Sequence, residues 1–311
     1  MNRICLFGGA NIDLCGASID KLRSFDSNPG VIAISYGGVG RNIAQICSLL
    51  QQKVLFVTCF ADDTYGRQMK LDCENLGMDC TFSRVYTDVP SSMYLAILDN
   101  DHDMKIAMSD MRILSRMDQE MIDEALRILD KDDLVAVDAN LSADIVAYIL
   151  EHAKCITAAD PVSASKAFKM KPMLSHIGIF KPNQYEAAEL NGIEIHDEKT
   201  AAESLEWFEK QGVKETLISM AERGVLLGFE GHRFWLHHRP ISLANATGGG
   251  DAFMGAYISR RLMKDDPLSS AHYAISAAVT TIEQDAVVRR TLNDEEIRNN
   301  MKDMEIKEIE L

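Results

Sequence analysis

Short apolar runs alternate with amphipathic stretches along most of this chain. Residues 4–8, 54–60, 134–138, 155–159, 177–180 and 216–220 have the length and apolar content of buried strands. Between them, residues 41–50, 65–76, 119–129, 143–152, 184–190 and 200–210 place apolar side chains three and four apart, the spacing of one helix face. This alternation predicts a doubly wound α/β fold, a mostly parallel sheet with helices on both faces. Residues 14–36 and 85–110 break the pattern. In the second segment, Ser92-Met93-Tyr94-Leu95-Ala96-Ile97-Leu98 and Lys105-Ile106-Ala107-Met108 flank the polar Asp99-Asn100-Asp101-His102-Asp103, which reads as a hairpin. The two segments are expected to form a small β-sheet lid over the carboxyl ends of the parallel strands, where open α/β sheets bind ligands. Such a lid also offers a surface for a second copy of the chain, so a homodimer through the lid is expected. Residues 1–311 read as one domain, and the acidic stretch 294–311 as a solvated helix.

Composition narrows the partners. A chain of 311 residues, 47% hydrophobic and 25% charged, is long enough for a sizeable core. Its formal charge of -15, without long Lys or Arg clusters, argues against nucleic acid as a partner. An anionic small molecule would need local donors: backbone N–H groups, Mg²⁺ or a few placed cations. The seven cysteines, Cys5, Cys15, Cys47, Cys59, Cys73, Cys80 and Cys155, form no C-x-x-C pair and read as reduced core residues of a cytoplasmic protein. No run of 18 apolar residues suggests a membrane span.

The segment Asn245-Ala246-Thr247-Gly248-Gly249-Gly250-Asp251-Ala252-Phe253 sets three glycines and a carboxylate where an apolar helix begins. Glycines let backbone N–H groups approach an anion, and the helix start adds unpaired donors and a positive dipole end. Asp251 at that mouth is placed to accept a proton from an attacking hydroxyl. An unperturbed Asp titrates near 3.9, so Asp251 is expected to be ionised near neutrality. Other patches fall at expected strand ends. Gly8-Gly9-Ala10-Asn11-Ile12-Asp13 puts a carboxylate in reach of vicinal sugar hydroxyls, or else a turn residue. Tyr36-Gly37-Gly38-Val39-Gly40-Arg41-Asn42-Ile43-Ala44 opens a helix but lacks the third glycine of a dinucleotide fingerprint. Lys181-Pro182-Asn183-Gln184-Tyr185-Glu186 reads either as a capping box or as a pair of oxygens for hydrated Mg²⁺. Ser163-x-x-Lys166 lacks the companion motifs of acyl transfer, and no phosphate loop, nucleophile elbow or H-E-x-x-H occurs.

The order of these patches resembles the ribokinase-like, or PfkB, carbohydrate and nucleoside kinases over nearly the whole chain. The family's G-G-x-x-x-N pattern is matched by Gly37 to Asn42, and its D-T-x-G-A-G-D-x-F by Asn245 to Phe253. The resemblance implies a ribokinase-like fold and ATP as phosphoryl donor with Mg²⁺. It implies Asp251 as the base, Gly248, Gly249 and Gly250 as the anion hole, and Asp13, Gly37, Gly38 and Asn42 around the sugar. Asn183 and Glu186 would serve Mg²⁺ and phosphates, Glu186 through water. Ser219, Gly224 and Thr247 would meet the nucleotide. Gly9 to Asp13, Gly37 to Ala44, Asp138-Ala139-Asn140-Leu141 and Asp160 to Lys166 are similar to the branch that phosphorylates the 5'-hydroxyl of pseudouridine, which implies Asn11 and Lys166 near the base or ribose. Asn245 and Ala246 stand where the family has Asp-Thr, so a K⁺ site at Asn245 loses a charge, and Gly249 replaces the family's Ala. A sugar kinase and a catalytically silent nucleoside-binding protein are the alternatives.

Overall fold

The computed structural model describes residues 2–101, 103–239, 248–283 and 291–311. In chain order it begins with β1 (Arg3–Phe7), β2 (Asn11–Ser18), β3 (Gly30–Gly37), α1 (Val39–Leu49), β4 (Lys53–Val57), β5 (Cys59–Ala61), α2 (Thr64–Asn75) and β6 (Met78–Asp79). There follow β7 (Arg84–Tyr86), β8 (Met93–Leu98), β9 (Met104–Asp110), α3 (Gln119–Leu126), β10 (Leu134–Asp138), α4 (Ala143–His152), β11 (Ile156–Asp160) and α5 (Ala164–Ala167). The chain continues through β12 (Ile179–Phe180), α6 (Gln184–Asn191), α7 (Glu198–Lys210), β13 (Glu215–Ser219), β14 (Val225–Phe229) and β15 (His232–His237). It closes with α8 (Gly249–Leu262), α9 (Pro267–Ile282), α10 (Asp294–Asp303) and β16 (Lys307–Glu310).

The large sheet has the order β16-β15-β14-β13-β12-β11-β10-β1-β4-β6. Pairing is parallel from β6 across to β13 and antiparallel from there to β16. Alternate strand residues feed two cores. Ile4 and Leu6 of β1 pack with Ile43, Ile46, Phe253, Tyr257 and Ile275 from α1, α8 and α9. Cys5 and Phe7 face the other way, onto Ile122, Ile149, Leu190 and Phe208 from α3, α4, α6 and α7. Burial on both faces explains why the parallel strands read as unbroken apolar runs. The acidic tail differs from expectation. Only Asp294–Asp303 is helical, and Lys307–Glu310 pairs antiparallel with β15, because Ile309 packs inward while its charged neighbours face out.

A separate four-stranded sheet has the order β3-β2-β8-β9. Its register sets Ile34, Leu14, Leu95 and Met108 in one row and Ile32, Gly16, Ile97 and Ile106 in the next. Ile32, Ile34, Leu95, Ile106 and Met108 are exposed, so one face of this sheet presents apolar surface outward. No described helix is long and apolar enough to cross a membrane.

Candidate active site

The chain reverses its direction of growth across the large sheet between β1 and β10, with β4 and β6 laid down on one side and β11, β12 and β13 on the other. Parallel strands end together, so the carboxyl ends beside this switch point collect side chains from distant parts of the chain. Asn11 and Asp13 follow β1, Asp138 ends β10, Asp160 ends β11, Lys181 follows β12 and Ser219 ends β13.

Asp13 lies within β2, paired with Ser35 of β3 and Tyr94 of β8. Asn11 Nδ2 donates to Asp13 Oδ1. Gly37 must be glycine here, because a Cβ would lie 2.0 Å from Asp13 Oδ2. Gly38 has φ 99°, and a Cβ on it would lie 2.4 Å from the Gly9 carbonyl oxygen. Burial raises the Asp13 carboxyl to about 6, against the Asn11 hydrogen bond and the Arg41 charge, which both lower it. Arg41 Nη1 donates to Asn42 Oδ1 at 3.3 Å while its Nη2 pairs with Asp72 at 2.6 Å. That fixes the Asn42 amide so that Nδ2 donates to Asp251 Oδ2 at 2.8 Å. One asparagine thereby links the Arg41–Asp72 pair to the carboxylate in the first turn of α8.

The cradle starts α8. Gly248 is left-handed at φ 84° and, as a glycine N-cap, offers no side-chain oxygen to the first N–H groups of the helix. Close packing sets where this helix end falls: a Cβ on Gly255 would come within 2.7 Å of Ile46 Cβ, so α8 approaches α1 along a glycine. The protonation of Asp251 corrects the expectation from sequence. Burial first, and then the neighbouring Asp160, push it up to about 7, while Asn42 and Lys181 pull it down. The helix dipole, the one influence visible from local sequence, is outweighed by surroundings that only the fold assembles.

Asn183 and Glu186 form a full capping box on α6. Glu186 accepts from the Asn183 backbone N–H at 2.7 Å and from Asn183 Nδ2 at 2.8 Å, while Asn183 Oδ1 accepts from the Tyr185 and Glu186 N–H groups. The capping reading therefore holds in this structure. It leaves further lone pairs on Glu186, whose carboxyl is raised chiefly by burial and then by Asp160. Among the described residues no group of three or more His, Cys, Asp and Glu is placed to hold a metal. The donors present fit a hydrated ion shared with a ligand's phosphates, not a caged one. Beside the box opens a cavity of about 860 Å³ lined by Ser219, Gly224, Gly249 and Gly250 and by the apolar Val225, Phe253 and Ile275. Lys166 stands apart from this cavity: its Nζ donates to Asn140 Oδ1 at 2.7 Å, and Asn140 lies against Gly9. Asn245 and Thr247 lie outside the described residues.

Three further residues of the site stood in the sequence motifs without a role of their own. Asp138, fully buried, accepts from Gly9 N at 2.9 Å, Gly40 N at 2.7 Å and Asn140 N at 2.8 Å, which staples the turn after β1 to the start of α1. Asp160 and Lys181 pair at 3.1 Å. A charged residue at the end of an apolar run was the available cue.

Comparison with known proteins identifies the family and the fold. The family model described as pfkB family carbohydrate kinase matches residues 1–291. Pseudouridine kinase from Escherichia coli is 33% identical over 258 residues, covering 82% of this chain and 82% of that protein. Among solved structures, a carbohydrate kinase from Agrobacterium tumefaciens superposes with a TM-score of 0.85 at 23% identity, covering 99% of this chain and 100% of the other. Arabidopsis thaliana ribokinase complexed with ribose and ATP superposes with a TM-score of 0.85 at 17% identity, covering 97% and 99%.

Proposed function

Because this chain belongs to the pfkB family of carbohydrate kinases, we propose that it transfers the γ-phosphoryl of ATP to the 5'-hydroxyl of pseudouridine, giving pseudouridine 5'-phosphate and ADP. The observation that carries the reading is the 2.8 Å contact between Asn42, whose backbone N–H meets the Gly38 carbonyl, and Asp251, the carboxylate at a helix start. That start adjoins a cavity large enough for a nucleotide.

Asp13, ionised, accepts the two ribose hydroxyls, and Asn11, Gly37 and Gly38 close around them. Asn42 spans from the sugar to Asp251 and keeps both in register. Asp251 takes the proton of the 5'-hydroxyl as that oxygen forms its bond to the γ-phosphorus and the bond to the β,γ-bridging oxygen breaks, so that ADP leaves. Backbone N–H groups of Gly248, Gly249 and Gly250 hold the phosphoryl oxygens at the positive end of α8. Ser219 and Gly224 line the nucleotide's cavity, with Thr247 assigned to it as well. Mg²⁺, when bound, would be held through water by Asn183 and Glu186 and would supply charge neutralisation at the phosphates. Lys166 faces the substrate's base or ribose through Asn140. K⁺ at Asn245 belongs to the same proposal. The exposed apolar face of the small sheet supports its role as a lid that pairs two copies of the chain, each a single domain with lid segments near 14–36 and 85–110. Seven unpaired thiols support a cytoplasmic location.

The test is ADP release from ATP and Mg²⁺ against pseudouridine, uridine, adenosine, guanosine, ribose and fructose. The expected result is the highest kcat/KM with pseudouridine. A preference for a free sugar would make this a ribokinase- or fructokinase-type enzyme. Nucleoside binding without turnover would make it a silent binding protein.

A further inference from the structure

Three carboxylates from three separate elements act on one buried ammonium: Asp160 at the end of β11, Glu186 in the first turn of α6 and Asp251 in the first turn of α8. A fourth, Asp138, stands beside Asp160 in the β10–β11 register. The cation paired with Asp160 is Lys181. Its position follows from the sheet: β11 and β12 pair Ala159 with Phe180, and the Lys181 N–H continues the ladder to the Ala159 carbonyl at 3.1 Å. The next residue on each strand is Asp160 and Lys181, so their side chains emerge together. Lys181 Nζ sits 3.1 Å from Asp160 Oδ2, with the two side chains 7% and 5% exposed. The same ammonium lies 3.2 Å from where a Cβ on Gly250 would be, directly under the turn that starts α8.

A lysine this deeply buried must be matched by nearby negative charge, since an unpaired one would deprotonate or open the fold. Here the matching exceeds balance, with several carboxylates around one ammonium. We propose that Lys181 is a positioning residue of the phosphoryl-transfer centre, whose buried charge under Gly250 keeps Asp251 able to act as a proton acceptor at neutral pH. This rests on the kinase reading above. Among the described residues, the charged groups that act on Asp251 are Asp160 from β11 and Asp138 from β10, which disfavour its ionisation, and Lys181 from the β12–α6 loop, which favours it. Glu186 adds to the negative charge that Lys181 meets. Replacing the ammonium with a neutral group leaves Asp251 among like charges, which makes its ionisation harder.

The experiment compares Lys181→Arg, Lys181→Met and Lys181→Gln with the wild type. Melting curves and circular dichroism identify the variants that fold. Two readouts follow in the intact protein: the acidic limb of kcat/KM, and the titration of the Asp251 side-chain carboxyl by ¹³C NMR without ligand, assigned by difference against Asp251→Asn. Lys181→Met and Lys181→Gln are expected to raise both midpoints by about one unit or more and to recover most of kcat at pH 9, while Lys181→Arg stays near the wild type. An unmoved Asp251 titration in a folded neutral variant overturns the proposal. So does an arginine variant displaced as far as methionine, which would show a packing role. Should the wild type turn over no substrate, the kinase reading fails on that assay, and the NMR titration still decides the role of Lys181.

Discussion

Acid is expected to switch this enzyme off through Asp251 well above the range of an ordinary aspartate. Burial and the neighbouring Asp160 raise that carboxyl to about 7, so the base form is lost as pH falls through neutrality. A single site at that value is about 9% ionised at pH 6 and about 91% at pH 8, which makes kcat/KM roughly tenfold lower at pH 6. Asp13, raised to about 6, must also be ionised to accept hydroxyls from the sugar, so the slope should steepen below pH 6. The assay is kcat/KM for the nucleoside from pH 5 to 9 at constant ionic strength. Mg-ATP is kept below its own KM, so that the limb reports groups of the free enzyme. Asp13→Asn should remove the second step and leave the limb near 7. A profile flat down to pH 5 would show an unshifted Asp251 and refute the argument from burial.

Gly37→Ala pushes a Cβ to within 2.0 Å of Asp13 Oδ2. The carboxylate must turn away, and the nucleoside KM should rise roughly tenfold or more while the KM for ATP holds. Gly255→Val forces α8 off Ile46 of α1, where even a Cβ comes to 2.7 Å, and chemical denaturation should show a loss of about 1–3 kcal/mol in stability. Carboxylates introduced at Ile34 and Met108, exposed in one row of the small sheet, should turn a dimer into a monomer by sedimentation equilibrium, whereas an unchanged mass would place the interface elsewhere.

The parts legible in sequence were those whose signal is local. The parallel strands announced themselves as apolar runs because both faces are covered, and the Asp251 cradle because glycines, a carboxylate and a helix start are contiguous. The capping box of Asn183 and Glu186 spans a single turn. What stayed hidden depends on which strands are neighbours. Asp138, Asp160 and Lys181 are single charges at strand ends, and their meaning appears only when β10, β11 and β12 lie side by side. Arg41 was visible as part of a motif, but its grip on the Asn42 amide needs Asp72 from α2. The raised Asp251 carboxyl was missed for the same reason, since its neighbours lie far away in sequence. The strand at Lys307–Glu310 was read as helix because four mostly charged residues carry almost no period.

The central claim, that Asp251 is the proton acceptor in phosphoryl transfer to a nucleoside hydroxyl, is tested most directly by Asp251→Asn. The amide keeps the shape of the carboxylate and can still meet Asn42, but it cannot take the proton. Single-turnover formation of the nucleoside 5'-phosphate from pseudouridine, ATP and Mg²⁺, followed by mass spectrometry, should be slower than in the wild type by roughly 10² to 10⁴, with nucleoside affinity little changed. Full-rate product formation by the folded variant would contradict the account.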